Sequence, residues 1–239
     1  MNYVWGSGTD TGKVREHNED SVFPDESGNT GGTVVLMVAD GMGGAVAGEV
    51  ASRLAVQAAS EAEADDPIDP ADRVLAGNSA VILATEEDRS LAGMGTTLTL
   101  VQLDPAGNAQ FAHVGDSRAY LLRGAELSQI TTDHSLVGEL VSLGRITKEE
   151  ARNHPHRHLV TRVLGLGPIS VDTEQLKLEA SDRILLCSDG LTDMVTDAMI
   201  EEILSAGEGV EATAWALIEQ ANAAGGVDNT TVVVIDATE

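Results

Sequence analysis

Thr96 to Thr131 reads TTLTLVQLDPAGNAQFAHVGDSRAYLLRGAELSQIT, and the fold class turns on it. Thr96–Leu103, Gln110–Val114, Arg118–Arg123 and Glu126–Thr131 are rich in β-branched, aromatic and leucine side chains and are split by short Gly, Asp, Asn and Pro clusters. That is the pattern of successive strands. Gly115-Asp116-Ser117 between the second and third strands reads as the apex of a hairpin. No helix-length segment separates the strands, so they are expected to pair antiparallel.

Moving outward, Thr33–Ala39 (TVVLMVA) is a continuous apolar run, as in a strand buried on both faces. Glu49–Ala62 and Pro70–Glu86 carry helical stripes through Val50, Leu54 and Val74, Leu75, Val81, Ile82. Glu61–Asp72, acidic with two prolines, reads as a surface loop. Beyond the strand block, Asp133–Gly144 is expected to be a short helix closed by Gly144. Thr147 and Glu150 form a T-x-x-E capping box that starts another. Asn153–His158 (NHPHRH) reads as a loop, so the stretch is a small helical insertion between strands. Then follow a strand at Asp182–Ser188, helices at Asp197–Ser205 and Val210–Ala224, and a closing strand at Thr230–Ile235. A strand-rich centre with one early and one late helix pair implies an α+β fold of stacked sheets covered by helices. We find no internal repeat and expect one domain over 1–239.

With 239 residues the chain can bury a full core without staples. Phe, Tyr and Trp make up only 3% of it, so that core must be built from Val, Leu, Ile and Ala; Trp5 and Trp215 read as packing residues. One cysteine, Cys187, excludes a disulfide framework or a multi-cysteine zinc site and sits in an apolar run as a core residue. No run approaches the roughly 20 apolar residues of a membrane helix. The first ten residues lack the cationic and apolar regions of a secretory signal. A cytoplasmic protein is expected. The net charge of −25 argues against nucleic-acid partners.

Three aspartates share a local grammar. Asp40 follows Val38-Ala39 and precedes Gly41; Asp189 follows Cys187-Ser188 and precedes Gly190; Asp228 stands just before the last strand. Glycine beside a carboxylate allows a sharp turn or the close approach of a ligand. Asp116 is a fourth, flanked by Gly115 and Ser117. Any single Asp-Gly is equally an ordinary turn. Together, carboxylates gathered at strand edges suit hard divalent cations such as Mg²⁺ or Mn²⁺, which remove their mutual repulsion. Near the N-terminus, Arg15-Glu16-His17-Asn18-Glu19-Asp20 offers a guanidinium fork for phosphate and two more acids.

Eight motifs in order then resemble the bacterial form of the metal-dependent protein serine/threonine phosphatases, the type 2C family. They are Arg15-x-x-Asn18-Glu19-Asp20, Val38-Ala39-Asp40-Gly41-Met42-Gly43-Gly44 and Gly95-Thr96-Thr97, then His113-Val114-Gly115-Asp116-Ser117-Arg118 and Asp133-His134. Thr161-Arg162-x-Leu164-Gly165, Cys187-Ser188-Asp189-Gly190 and Asp228-Asn229-x-Thr231 complete the series. The resemblance implies a four-layer αββα sandwich of two antiparallel sheets with helices on both outer faces and a flap over about 133–160.

It further implies two or three Mn²⁺ or Mg²⁺ ions. Asp40 would bridge two of them with a water or hydroxide, and the Gly41 carbonyl would contribute to one. Asp189 and Asp228 would complete the core, and Glu19 and Asp20 would act largely through water. Asp116 would serve a third, looser ion with Asp189, and Arg15 would grip the substrate phosphate. His113 and His134 read as structural, while His154, His156 and His158 would either touch substrate or form a solvated loop. Partners would be phosphoserine and phosphothreonine proteins, including a serine/threonine kinase and its substrates, met by a monomer. A phosphatase of small phosphate esters and a non-catalytic phosphoprotein binder are the alternatives. One departure stands out. Some members carry histidine two positions after the bridging aspartate, as a general acid; here it is Met42, which cannot donate a proton.

Overall fold

The computed structural model describes residues 1–61 and 68–239, so half of the acidic loop expected over 61–72 lies outside the described residues, and its end from Pro70 belongs to a helix. Among the described residues twelve strands form two six-stranded sheets. In chain order they are β1 (Asn2–Asp10), β2 (Asp20–Phe23), β3 (Gly28–Thr30), β4 (Val34–Met42), β5 (Gly95–Thr96), β6 (Leu98–Leu103), β7 (Asn108–Val114), β8 (Arg118–Arg123), β9 (Glu126–Gln129), β10 (Asp172–Lys177), β11 (Arg183–Cys187) and β12 (Thr230–Thr238). One sheet runs β3-β1-β12-β11-β8-β9 and the other β10-β7-β6-β4-β2, with β5 paired to β4. Every pairing is antiparallel.

Among the described residues seven α-helices complete the fold: α1 (Ala45–Glu61), α2 (Pro70–Glu87), α3 (Leu136–Ser142), α4 (Lys148–Arg152), α5 (Asp189–Thr192), α6 (Asp197–Ser205) and α7 (Val210–Ala223). The alternation along β4 shows why its Val34–Ala39 stretch lacks polar residues. Leu36 and Val38 enter the core between the sheets with Val101, Phe111, Leu186 and Val233. Met37 and Ala39 face the other way, against Ala51, Ala55 and Val81 of α1 and α2. Along β11, Ile184 and Leu186 point inward while Leu185 and Cys187 pack on Leu217, Ile218 and Ala221 of α7. The result is the expected four layers. Strands covered on both faces need apolar side chains at every position, each worth about 1.5–3 kcal/mol when fully buried.

The structure corrects several sequence expectations. Gly115-Asp116-Ser117 is not a hairpin apex: β7 pairs with β6 and β10, whereas β8 pairs with β11 and β9 in the other sheet. The two strands have hairpin spacing but diverge, because each face finds a better partner from distant sequence. β4 continues through Asp40 to Met42, and β1, β2, β3, β10 and the short α5 had no clear sequence signal. The first insertion helix starts at Leu136, since Ser135 accepts from Gly138 N–H and caps it, while Asp133 and His134 stay outside. Gly144, at φ +64°, closes it, and the Thr147/Glu150 capping box is formed. Trp5 is buried, but Trp215 leaves 42% of its surface exposed.

Cys187 is fully buried, and burial pushes its thiol up to about 12. Reactive cysteines are exposed thiolates. Cys187 is therefore expected to resist a thiol reagent in the native protein and to react stoichiometrically in denaturant. Rapid native labelling would contradict this packing.

Candidate metal centre

At one end of the sandwich the two sheets bring the predicted acids together. Asp40 lies within β4, directly across from Asp20 on β2. Its amide donates to Thr97 Oγ1 (2.9 Å), and its carbonyl accepts from Thr96 Oγ1 (2.8 Å) and Thr97 N–H (2.9 Å). Asp189 opens α5 immediately after β11, and Asp228 precedes β12. Asp116, 9% exposed, sits where the chain crosses from one sheet to the other. Glu19 and Asp20, each 8% exposed, lie at the start of β2.

The two Asp-Gly glycines turn out not to make turns, for neither has positive φ. A Cβ on Gly41 would lie 2.2 Å from the Gly48 carbonyl oxygen of α1 and 2.5 Å from that of Glu19. A Cβ on Gly190 would lie 1.9 Å from the Asn229 carbonyl oxygen. Glycine is needed because other backbone segments press against the carboxylate-bearing one.

The electrostatics are those of crowded, buried acids. Burial, followed by Asp20, Asp189 and Asp116, raises the Asp40 carboxyl well above the usual range, and Asp40 and Asp189 are close enough to share a proton. Burial, then Asp189 and Asp133, does the same for Asp116. Burial pushes Asp20 up to about 7 despite a 2.7 Å hydrogen bond from Ser188 Oγ. Burial and Asp193 push Asp189 up to about 6. Among the described residues, Asp20 Oδ1 and Asp189 Oδ1 are buried and accept no hydrogen bond. Such oxygens cost about 1–3 kcal/mol each when left bare. Hard divalent cations with oxygen ligands fit this set on both counts, charge and unpaired acceptors.

Arg15 stands at the rim, where Nη2 donates to Asp228 Oδ2 (2.7 Å) and half its side chain is exposed. Exposed pairs of this kind are worth about 0–1 kcal/mol, so the guanidinium can exchange partners cheaply. Asn229 was missed as a functional residue. Its Oδ1 accepts Glu19 N–H (2.8 Å), and its Nδ2 donates to the Thr11 and His17 carbonyls (both 2.9 Å), tying the Arg15–Asp20 segment to the approach to β12. Its place inside an Asp-Asn pair before a strand was the available signal. Asp193, one turn after Asp189, was also missed. Its carboxylate lies 3.4 Å from His158 Nδ1 and 3.8 Å from Arg157 Nε. Ligand atoms of His158, Asp189 and Asp193 lie within 4.8 Å of one another.

The insertion therefore docks beside the centre. Between α3–α4 and α5–α6 runs a cavity of about 520 Å³ bounded by Asp116, Asp189, Val137, Val141, Ala151 and Asp197 among others. Arg152 spans it, Nη2 donating to the Thr192 and Val195 carbonyls (both 3.1 Å). Arg152→Ala is expected to lower stability by about 1–3 kcal/mol, the effect of losing two hydrogen bonds, and to speed hydrogen exchange in α3 and α4. Unchanged exchange there would show that these two bonds do not hold the insertion against α5 and α6.

Two stacked sheets that converge on buried, mutually repelling carboxylates, with Arg15 half-exposed at the rim, form a site whose chemistry suits divalent cations. Comparison with known proteins agrees. The protein phosphatase 2C family model matches residues 7–215. The chain is 46% identical over 239 residues to the serine/threonine protein phosphatase PstP of Mycobacterium tuberculosis, covering 97% of this chain and 44% of that protein. It is 41% identical to the serine/threonine phosphatase stp of Listeria monocytogenes, covering 95% of this chain and 93% of that protein. A crystal structure of the M. tuberculosis PstP superposes with a TM-score of 0.91 at 43% identity, over the whole of both chains. Another, of the PstP catalytic domain in complex with two manganese ions, superposes at 0.88 with 41% identity, again over the whole of both chains. The chain belongs to the protein phosphatase 2C family, a family of metal-dependent serine/threonine protein phosphatases. It spans less than half the length of the M. tuberculosis relative.

Proposed function

We propose that this chain hydrolyses phosphoserine and phosphothreonine esters in proteins. The observation that carries this reading is the cluster of Asp20, Asp40, Asp116 and Asp189, buried and short of counter-charge, with Asp228 and Arg15 at its mouth. Asp40, the Gly41 carbonyl, Asp189 and Asp228 would hold two Mn²⁺ or Mg²⁺ ions. Glu19 and Asp20 would back them, and Asp116 would serve a looser third. When bound, such ions lower the pKa of a water and neutralise charge developing on the phosphoryl oxygens.

The chain's own groups do the rest. Arg15 trades Asp228 for a phosphoryl oxygen pair and orients the ester. Thr96 and Thr97 hold the Asp40 backbone so that its carboxylate is pre-aimed. Among the described residues neither candidate beside the acids is free to act as a nucleophile: Cys187 is sealed in the core, and Ser188 Oγ is committed to Asp20. Met42, 41% exposed at the rim, leaves the departing alcohol to take its proton from water. Residues 1–239 would act as one catalytic unit with the 133–160 segment as a substrate-side flap. The acidic surface favours basic sequence around the phosphosite and fits a kinase and its substrates as partners.

Turnover of p-nitrophenyl phosphate and of a phosphothreonine peptide with Mn²⁺, abolished by chelator, is the test. Arg15→Ala is expected to lower kcat/KM about 10²-fold, in line with loss of a charge-assisted bidentate contact. Absence of metal-dependent turnover on both substrates would sink this reading.

A further inference from the structure

His134 is buried, 4% exposed, and its contacts run in two directions at once. Towards the crossover loop, its Nδ1 accepts the Gly115 N–H (3.1 Å), and its own N–H donates to the Gly115 carbonyl (2.7 Å). Gly115 immediately precedes Asp116. Towards the flap, the His134 carbonyl accepts Thr161 N–H (2.7 Å), and the next residue, Ser135, bridges to Val160. Those two contacts close the stem of the flap.

The ring is oriented from behind. With Nδ1 accepting from Gly115, Nε2 carries the proton of the neutral ring and faces Asp172 Oδ2 at 3.1 Å, with Arg162 Nη1 3.2 Å from the same nitrogen. Asp172 is held in turn by Arg162 Nη1 at 2.8 Å. His113 lies alongside, ring centroids 4.7 Å apart, so the imidazole has no room to swing. A carboxylate behind a histidine is how a tautomer and a ring plane are set.

From this geometry we infer that His134, oriented by Asp172, is a positioning residue that locks the Asp116 loop to the flap stem and so sets the affinity of the looser cation position. The inference rests on the reading of Asp116 as a ligand. Asp116 has no strand around it to hold it, unlike Asp40 in β4. Its backbone is fixed by the Gly115–His134 pair on one side and by Ser117 Oγ to Thr97 Oγ1 (2.8 Å) on the other. Removing the His134 acceptor leaves the Gly115 N–H without a partner and only the backbone bond from His134 N–H to the Gly115 carbonyl on that side of the loop, which loosens its tie to the flap.

The test is Mn²⁺ titration calorimetry on chain 1–239 without substrate, paired with hydrogen exchange at the flap stem. Asparagine places an acceptor where Nδ1 stands, and glutamine reaches only the Nε2 position. His134→Asn should therefore keep the looser Mn²⁺ affinity within about twofold, while His134→Gln should weaken it about tenfold, as outer-shell partners do. His134→Gln should also speed exchange around Thr161. Asp172→Ala, at a half-exposed side chain that does not endanger folding, should weaken the same site in the same direction. If His134→Gln and His134→Asn bind alike, or Asp172→Ala leaves the looser site unchanged, the inference is overturned. Asp116→Ala separates the two layers. It should abolish the looser site; an unchanged isotherm there refutes the ligand reading itself, whatever the His134 variants do.

Discussion

Asp40→Asn is expected to lower turnover by about three orders of magnitude and, in chelator, to melt a few degrees above the parent. The first effect follows from position. Asp40 faces Asp20 across the β2–β4 ladder, can share a proton with Asp189 and feels Asp116 as well, so its charge stands amid neighbouring acids from both sheets. Asparagine keeps the shape and the Thr97 contact but removes the charge that draws a cation between the sheets. Loss of one preorganised electrostatic element costs about 10²–10³ in rate. The second effect has the opposite sign because the wild-type carboxylate is buried beside like charges with nothing to offset it when metal is absent. An amide at the same place can donate to Asp20 Oδ1 or Asp189 Oδ1, both otherwise unpartnered. Relief of that kind is worth about 0.5–2 kcal/mol, each kcal/mol being about 2–4 °C for a chain of this size. Thermal melts in chelator and p-nitrophenyl phosphate assays in Mn²⁺ check both halves. A variant that melts below the parent would show that the crowded acids do not strain the metal-free fold.

Mn²⁺ itself should raise the melting temperature most at alkaline pH. At about 100-fold excess over its dissociation constant it adds about 2.7 kcal/mol, or about 5–10 °C. The pH dependence has a definite direction. Asp20 and Asp189 are raised to about 7 and 6, and Asp40 and Asp116 are raised as well. Unfolded carboxylates titrate near 4. Between those values the folded, metal-free chain binds more protons than the unfolded one, so its stability climbs as pH falls from about 8 towards 5 and is lost as pH rises. Cation and proton compete for the same oxygens, so the Mn²⁺ increment should shrink over the same interval. Melts at pH 8 and pH 5, with Mn²⁺ and with chelator, measure it. An equal increment at both pH values would mean that the cation does not sit on these carboxylates.

Much of the site was legible early because its chemistry is local in sequence. Asp40-Gly41, Asp189-Gly190 and Asp228-Asn229 each pair an acid with the residue that lets it sit against another backbone, and each follows or precedes an apolar run. The fold class was legible for a similar reason, since strands buried on both faces leave continuous apolar stretches such as Val34–Ala39. What failed was pairing. β7 and β8 carry every local mark of a hairpin, yet Val114 belongs with Leu98 and Arg118 with Cys187. β1 was unreadable for the opposite reason: its Gly6 and Gly8 sit where Glu211 and Ile218 of α7 come within 2.5 and 2.8 Å of an added Cβ, so packing rather than β-propensity chose them.

The sequence alone therefore determined which residues carry charge, which segments are apolar on one face or two, and the ordered motifs that mark the family. These are properties of neighbours along the chain. Only the tertiary structure decided that Asp116 lies at a crossover between sheets, that Asn229 ties the Arg15 segment to the approach to β12, and that His134 joins the Asp116 loop to the flap. The bonds behind the last two relations join residues such as Gly115 and His134, 19 positions apart, and His17 and Asn229, 212 apart. They exist only once core burial has chosen the strand order, and no local pattern records that choice.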